Sequence, residues 1–317
     1  MSVAALLGSV ESGFIFAIMA LGVYLTFRIL DFPDLTVDGS FATGGAISAT
    51  MITAGIAPFV STLSAIATGL LVGAMTGILH TKGKINALLS GILSMIALYS
   101  INLRIMGKAN VPLLGEDTVL TQIQGVLSAL GDYGLLLALA VIALVIKFIN
   151  DWFLHTEIGL ALRATGNNQR MIRSFSANTD NTIILGLSIS NGLVALSGAM
   201  YAQYQGFADV SMGIGMIIIG LASVIIGEAI FGDRTIFRAT FAVIGGAIIY
   251  RIVVALAMQV GLDPSDMKLI TALIVIIALV MPRVSASYKD RKRRNARMKK
   301  REQDLVVMER SEVKKHA

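Results

Sequence analysis

Residues 182–204 read TIILGLSISNGLVALSGAMYAQY, 23 residues without a charge. At about 1.5 Å per residue a helix of this length reaches about 35 Å, enough to cross the hydrocarbon core of a bilayer. The same character recurs in Leu6–Phe27, Pro58–Leu79, Ile85–Met106, Tyr133–Ile149, Gly213–Phe231, Thr235–Met258 and the short Met267–Met281. A ninth and weaker stretch is Leu35–Ala54, LTVDGSFATGGAISATMITA. Its Asp38, hydroxyls and glycines suit a helix shielded by protein, or a broken one lining a cavity, better than one facing lipid. The expected fold class is all-α, a polytopic transmembrane bundle of about eight to ten spans.

Composition agrees. Of 317 residues, 55% are hydrophobic and 15% charged, against about a quarter charged in a soluble domain. There is no cysteine, which removes thiolate chemistry and cysteine metal clusters. His80, His155 and His316 have no helical ligand spacing, so no metal site is expected. Lys84 after Gly83 lacks both the Walker A spacing and the following Ser or Thr. No H-E-x-x-H or G-x-S-x-G pattern occurs. No catalytic residue, cofactor or enzymatic activity is expected of this chain.

The net charge of +6 is concentrated at one end. Residues 283–317 hold 13 Lys/Arg against 5 Asp/Glu. Directly after an apolar run, that composition points to a cytoplasmic membrane flank lying on lipid, rather than to a nucleic-acid partner. The expected division is a membrane domain at 1–282 and a basic cytoplasmic tail at 283–317. With nine spans and the tail inside, the inner side collects Arg28, Lys82, Lys84, Lys147, Arg163, Arg170, Arg173, Arg234 and Arg238. If 35–54 re-enters instead of spanning, the count drops by one and the N-terminus moves inside.

Ionisable and polar residues within spans are the functional candidates. Glu11 and Arg251 lie at similar depth and form a buried pair or find other partners. Glu228 is expected to pair with Arg234 or Arg238, or to cap the loop. Asn191 bonds across helices or lines a pathway. Gln203 belongs to a group at the outer interface with Tyr201, Tyr204 and Gln205, which is an aromatic belt or the mouth of a pathway. Asp38, Gly44 and Gly45 mark close packing or a pathway. The segment 107–132 contains VLTQIQGVLSAL, a short surface helix. The inner loop at 150–181 is the largest non-terminal one. It contains EIGLALRATGNNQRMIRSFSANTD, which predicts a helix over Leu160–Thr165, a stop at Gly166-Asn167 and a second helix over Gln169–Phe175. The result is a basic, partly apolar knob that needs a partner surface or is simply a solvated positive loop.

This loop resembles that of the integral membrane permeases of ABC importers in the branched-chain amino-acid and ribose group. The resemblance places Gly159, Arg163, Ala164, Gly166 and Asn168 on the family's G-x-x-x-R-A-x-G-x-N-like stretch, which begins the region coupled to the ATPase. DLTVDGSFATGGAISA, through Asp34, Leu35 and Ser40, is similar to the family's D-L-S-V-G-S segment. SNGLVALSGAMYAQYQGFADVSMG is similar to the helix after the loop. Ser176 stands where the family often has glycine, so no role is carried to it. The resemblance implies ATPase subunits below, an extracytoplasmic binding protein above, a second permease copy or homologue, and a plasma-membrane location. It implies import of an amino acid or similar small polar solute. The rival readings are a sugar or nucleoside as cargo, or an ion-coupled secondary transporter.

Overall fold

The computed structural model describes residues 3–128, 131, 133–174 and 178–259, with 269, 271–273, 276 and 280 beyond them. The chain divides into two units, Met1–Ala272 and Leu273–Ala317. Every helix and strand with described bounds lies in the first. The basic tail, most of the Met267–Met281 stretch and Ser176 lie outside the described residues.

Eleven α-helices have described bounds, all in the first unit. They are α1 (Val3–Val23), α2 (Thr36–Thr53), α3 (Pro58–Thr81), α4 (Ala87–Met106), α5 (Val119–Val126), α6 (Tyr133–His155), α7 (Glu157–Asn167), α8 (Gln169–Ser174), α9 (Thr179–Gln205), α10 (Met216–Phe231) and α11 (Ile236–Gln259). Helix α1 continues into a π-helical turn, Tyr24–Ile29. Strands β1 (Asn110–Pro112) and β2 (Phe207–Asp209) form a small antiparallel ribbon, with Val111 opposite Ala208.

Among the described residues six helices are long and apolar enough to cross a membrane: α1 with its continuation, α3, α4, α6, α9 and α11. That establishes an all-α multi-pass bundle and leaves the larger count of eight to ten without direct support. The stretch Gly213–Phe231, read as a full span, is helical only from Met216 and is 16 residues long.

Helix α9 is the central post. Its neighbours α1, α2 and α3 pack along it with small residues at the crossings. Side-chain burial gives little drive between helices in lipid, so close backbone approach and hydrogen bonds do the work. Gly69, Gly73 and Gly77, one helical turn apart, set α3 against α9; a Cβ at Gly73 would overlap the Leu187 carbonyl. Helix α2 meets α9 in the same way, Gly44 against Ala195 and Gly198 against Phe41. As a result α2 is enclosed by protein, with Val37, Ser40, Phe41, Gly44, Gly45 and Ala49 all buried. The peripheral helix α6 instead exposes Val141, Phe148 and Trp152, an apolar face that a bilayer solvates.

Candidate functional site

Two carboxylates, one buried and one partly buried, lie in the bundle beside helix N-termini. Asp34 is fully buried just before α2. Its Oδ1 accepts the Thr36 N–H at 2.9 Å and its Oδ2 accepts the Asn191 side-chain amide at 2.7 Å. Asn191, halfway along α9, accepts in turn from Ser40 Oγ at 2.6 Å. Thr36 continues the chain to Thr76 at 3.0 Å, and Thr76 to Ser94 at 2.8 Å. Asp38, in the first turn of α2, accepts the Gly215 and Ile217 N–H groups, both at 2.8 Å. It therefore caps α10 from another helix. Neither carboxylate has a Lys or Arg among these contacts. Unpaired N–H groups at helix starts supply the partial positive charge instead.

The other polar candidates are placed as follows. Gln203 is buried at the ribbon end of α9. Its carbonyl accepts the Val119 N–H at 2.9 Å, and its amide donates to Ser48 at 2.8 Å and Thr62 at 2.9 Å. One side chain thus ties α2, α3, α5 and α9. Tyr204 donates to Glu11 at 3.0 Å, while Arg251 donates to Ser12 at 3.0 Å and lies 4.8 Å from the Phe16 ring centre. Glu11 and Arg251 therefore address the same turn of α1.

Helices α7 and α8 form the knob. Thr156 caps α7, accepting the Gly159 N–H at 3.2 Å. Asn168 joins the two helices, with its side chain accepting the Met171 N–H at 3.1 Å. Leu162 is fully buried in a cluster with Tyr24, Leu30, Leu154, Ile183 and Leu187. Gly166 rests on the chain after the π turn, where a Cβ would overlap the Ile29 carbonyl. Arg173 holds α8 to the start of α9 through Thr179 at 2.7 Å and Asp180 at 3.1 Å. Arg163 and Ala164 line an open cavity of about 720 Å³ together with Arg28 and Asp31. Ile158, Leu160 and Met171 remain exposed. Helix α7 is therefore packed against both the end of α1 and α9.

Two sequence expectations are corrected. Glu228 pairs with Arg28 at 3.0 Å, and Arg28 also reaches Asp233 at 2.9 Å. Arg238 is occupied with the Phe231 carbonyl. Lys147, counted among loop cations, is buried within α6, 2.6 Å from Asp151 and 3.2 Å from the Phe237 ring centre. The i,i+4 spacing of Lys147 and Asp151 was the available signal. Asn102, fully buried on α4 with neither amide atom hydrogen-bonded, was missed as well. Nothing in its neighbourhood of sequence distinguishes it.

Six membrane-length helices among the described residues, with a partly exposed knob beside them, define a multi-pass membrane protein. The chain belongs to the family of branched-chain amino acid transport system permease components, which matches residues 5–280. It is the multi-pass permease of an ABC importer for small solutes. It is 47% identical over 275 residues to the tyrosine transport system permease protein of Clostridioides difficile (strain R20291), covering 87% of this chain and 90% of that one. It is 35% identical over 278 residues to the uncharacterized protein RP368 of Rickettsia prowazekii (strain Madrid E), covering 86% and 96%. Similarity to the galactofuranose transporter permease protein YtfT of Escherichia coli (strain K12) is 27% over 270 residues, covering 84% and 75%.

Proposed function

We propose that this permease imports an amino acid, with an aromatic one first in line. The 47% identity to a tyrosine permease over nearly the whole chain favours that cargo over a sugar, for which the relative is at 27%. In this reading, solute arrives from an extracytoplasmic binding protein. ATP is hydrolysed on separate subunits docked against α7 and α8, and a second permease copy or homologue completes the pathway. Eight to ten spans, a membrane domain to residue 282 and a cytoplasmic tail complete the picture. Glu11 and Arg251 offset each other's charge inside the bundle. Asp38, Gly44, Gly45, Asn191 and Gln203 act chiefly by holding helices together.

The observation that carries the coupling role is the wedging of α7 through Gly166 and Leu162 against α1 and α9, with Arg163 beside it. Nucleotide-driven closure of the ATPase pair draws the knobs together and tilts those helices. The bundle then changes the face to which it opens. Arg163→Glu reverses one charge on the docking surface without touching the packed face. The expected result is normal insertion and an unchanged melting temperature, loss of co-purification with the ATPase, and loss of uptake. Uptake at the wild-type rate would sink the docking role of Arg163. Uptake of labelled L-tyrosine against D-ribose by the assembled importer tests the cargo.

The tail is expected to be dispensable for transport. KDRKRRNARMKKRE is too rich in like charge to fold alone. It gains up to about 1 kcal/mol per basic residue by lying on an anionic leaflet. Truncation after Ser287 should leave uptake near normal, with some loss of yield. A correctly inserted truncation that no longer retains the ATPase would make the tail part of the docking surface.

A further inference from the structure

We propose that the cavity between α2, α4 and the segment Val210–Ile214 is a station for the solute in transit. Its chemistry fits an amino acid with an apolar or aromatic side chain, and Asn102 is the residue that reads it. The proposal rests on the amino-acid import reading and names the place where that cargo is met.

The cavity holds about 290 Å³, close to the lower end of small-ligand sites at about 300 Å³. Asn102 lies on its lining, with no exposed surface and with both amide atoms unpartnered. Buried amides are almost always hydrogen-bonded, because a desolvated donor or acceptor without a partner is costly. The contrast on the same helix is instructive: Ser90 and Ser94 both have partners. A side chain that offers two donors and an acceptor, and uses none within the protein, suits a ligand that carries both kinds of group.

The rest of the lining narrows that ligand. Asp38 is the one ionisable carboxylate there, and no Lys, Arg or His lines the cavity. Each Asp38 oxygen already accepts one backbone N–H but keeps a further lone pair. An ammonium group is favoured beside it, and a solute whose only charge is negative is not. Met95, Ile96, Val210 and Ile214 supply apolar wall, and the Tyr99 ring is half exposed at 49%. A sugar would turn hydroxyls against that wall without partners. An amino acid presents its ammonium to Asp38, its carboxylate to the Asn102 amide and its side chain to the wall. The irregular stretch before α10 fits this role. Non-helical backbone inside a membrane bundle is tolerated where it lines a cavity.

The chain has no cysteine, so Ser100→Cys puts a single thiol on the cavity wall. The assembled importer would be reconstituted in proteoliposomes with its ATPase and binding protein. The thiol should react with a membrane-impermeant methanethiosulfonate, and turnover of L-tyrosine or L-phenylalanine should slow labelling severalfold where D-ribose does not. A thiol that never labels, or that no amino acid protects, overturns the proposal. Asn102→Leu removes only the orphaned amide. It should keep or raise the melting temperature and keep ATP hydrolysis, yet lower amino-acid uptake about tenfold, equivalent to about 1.4 kcal/mol. Unimpaired uptake, or a lowered melting temperature that marks Asn102 as structural, overturns the proposal alone. Uptake of D-ribose and of no amino acid by the unaltered importer overturns the import reading beneath it.

Discussion

Leucine in place of Gly44 should abolish uptake and leave little folded permease in the membrane. At this point α2 and α9 touch backbone to backbone. A Cβ on Gly44 would overlap the Ala195 carbonyl and come within 2.7 Å of the Ala195 Cα. The obstacle is main chain on a long helix, which cannot swing aside as a side chain does. The same crossing is pinned again at Gly198, whose Cβ would overlap the Phe41 carbonyl. Moving α2 to make room would also pull Ser40 from Asn191 and Asp38 from the start of α10. Overpacking typically costs about 1–3 kcal/mol when neighbours adjust. Here the adjustment breaks other bonds, so the loss becomes comparable with a total stability of about 5–15 kcal/mol. Gly45 supplies the control. A Cβ there meets the sulfur and methyl of Met212 at 2.7 and 2.8 Å, the far end of a flexible side chain. Gly45→Ala should therefore keep near-normal yield and uptake, while Gly44→Ala loses a substantial part of both. Size-exclusion profiles in detergent, melting temperatures and uptake read all three variants. A monodisperse, transport-competent Gly44→Leu protein would show that α2 and α9 are not in backbone contact in the membrane.

The residues differ in how much of this was legible beforehand. Membrane-length helices announce themselves, because about 20 uncharged residues leave few alternatives. The knob was legible in part: Gly166-Asn167 is a local stop signal and α7 ends at Asn167, but the helix starts at Glu157, capped by Thr156, three residues before the expected Leu160. Asp38 and its glycines marked α2 as unfit for lipid. Nothing near residue 38 says that its carboxylate caps a helix beginning 178 residues later. Glu228 illustrates the same limit. Its neighbours in sequence offered two arginines, and the fold chose Arg28 from the other end of the chain. A local reading favours near partners, whereas a bundle brings together whatever the helix order dictates. Asn102 is the extreme case, because its interest lies in bonds it does not make. The stripe at Gly69, Gly73 and Gly77 was legible as small residues one turn apart. It does not stand out, because glycines are common throughout this chain.

Asp34→Ala should be the second severe variant, and its loss should be shared with Asn191. The Asp34 carboxylate accepts from the Thr36 backbone and from the Asn191 amide, with no exposure to water. Removing it orphans the Thr36 N–H and one of the two Asn191 amide hydrogens, the other staying on the Leu187 carbonyl at 2.9 Å, at about 1–3 kcal/mol each, a large part of the stability of the fold. Asn at position 34 is a poor rescue. Its oxygen replaces only one acceptor, and if that oxygen serves Thr36, its NH₂ faces the NH₂ of Asn191. Turning Asn191 over would give up its acceptance of Ser40 Oγ. The test is a double-mutant cycle on Asp34→Ala and Asn191→Leu. Deleting Asn191 as well removes one of the donors that Asp34→Ala strands, so the pair should cost clearly less than the sum of the singles. Contacting residues of one network typically couple by about 0.5–3 kcal/mol. Thermal unfolding of the purified permease measures each corner. Strict additivity, or a single variant melting with wild type, would mean that the two side chains do not share the buried hydrogen bond on which α2 is hung from α9.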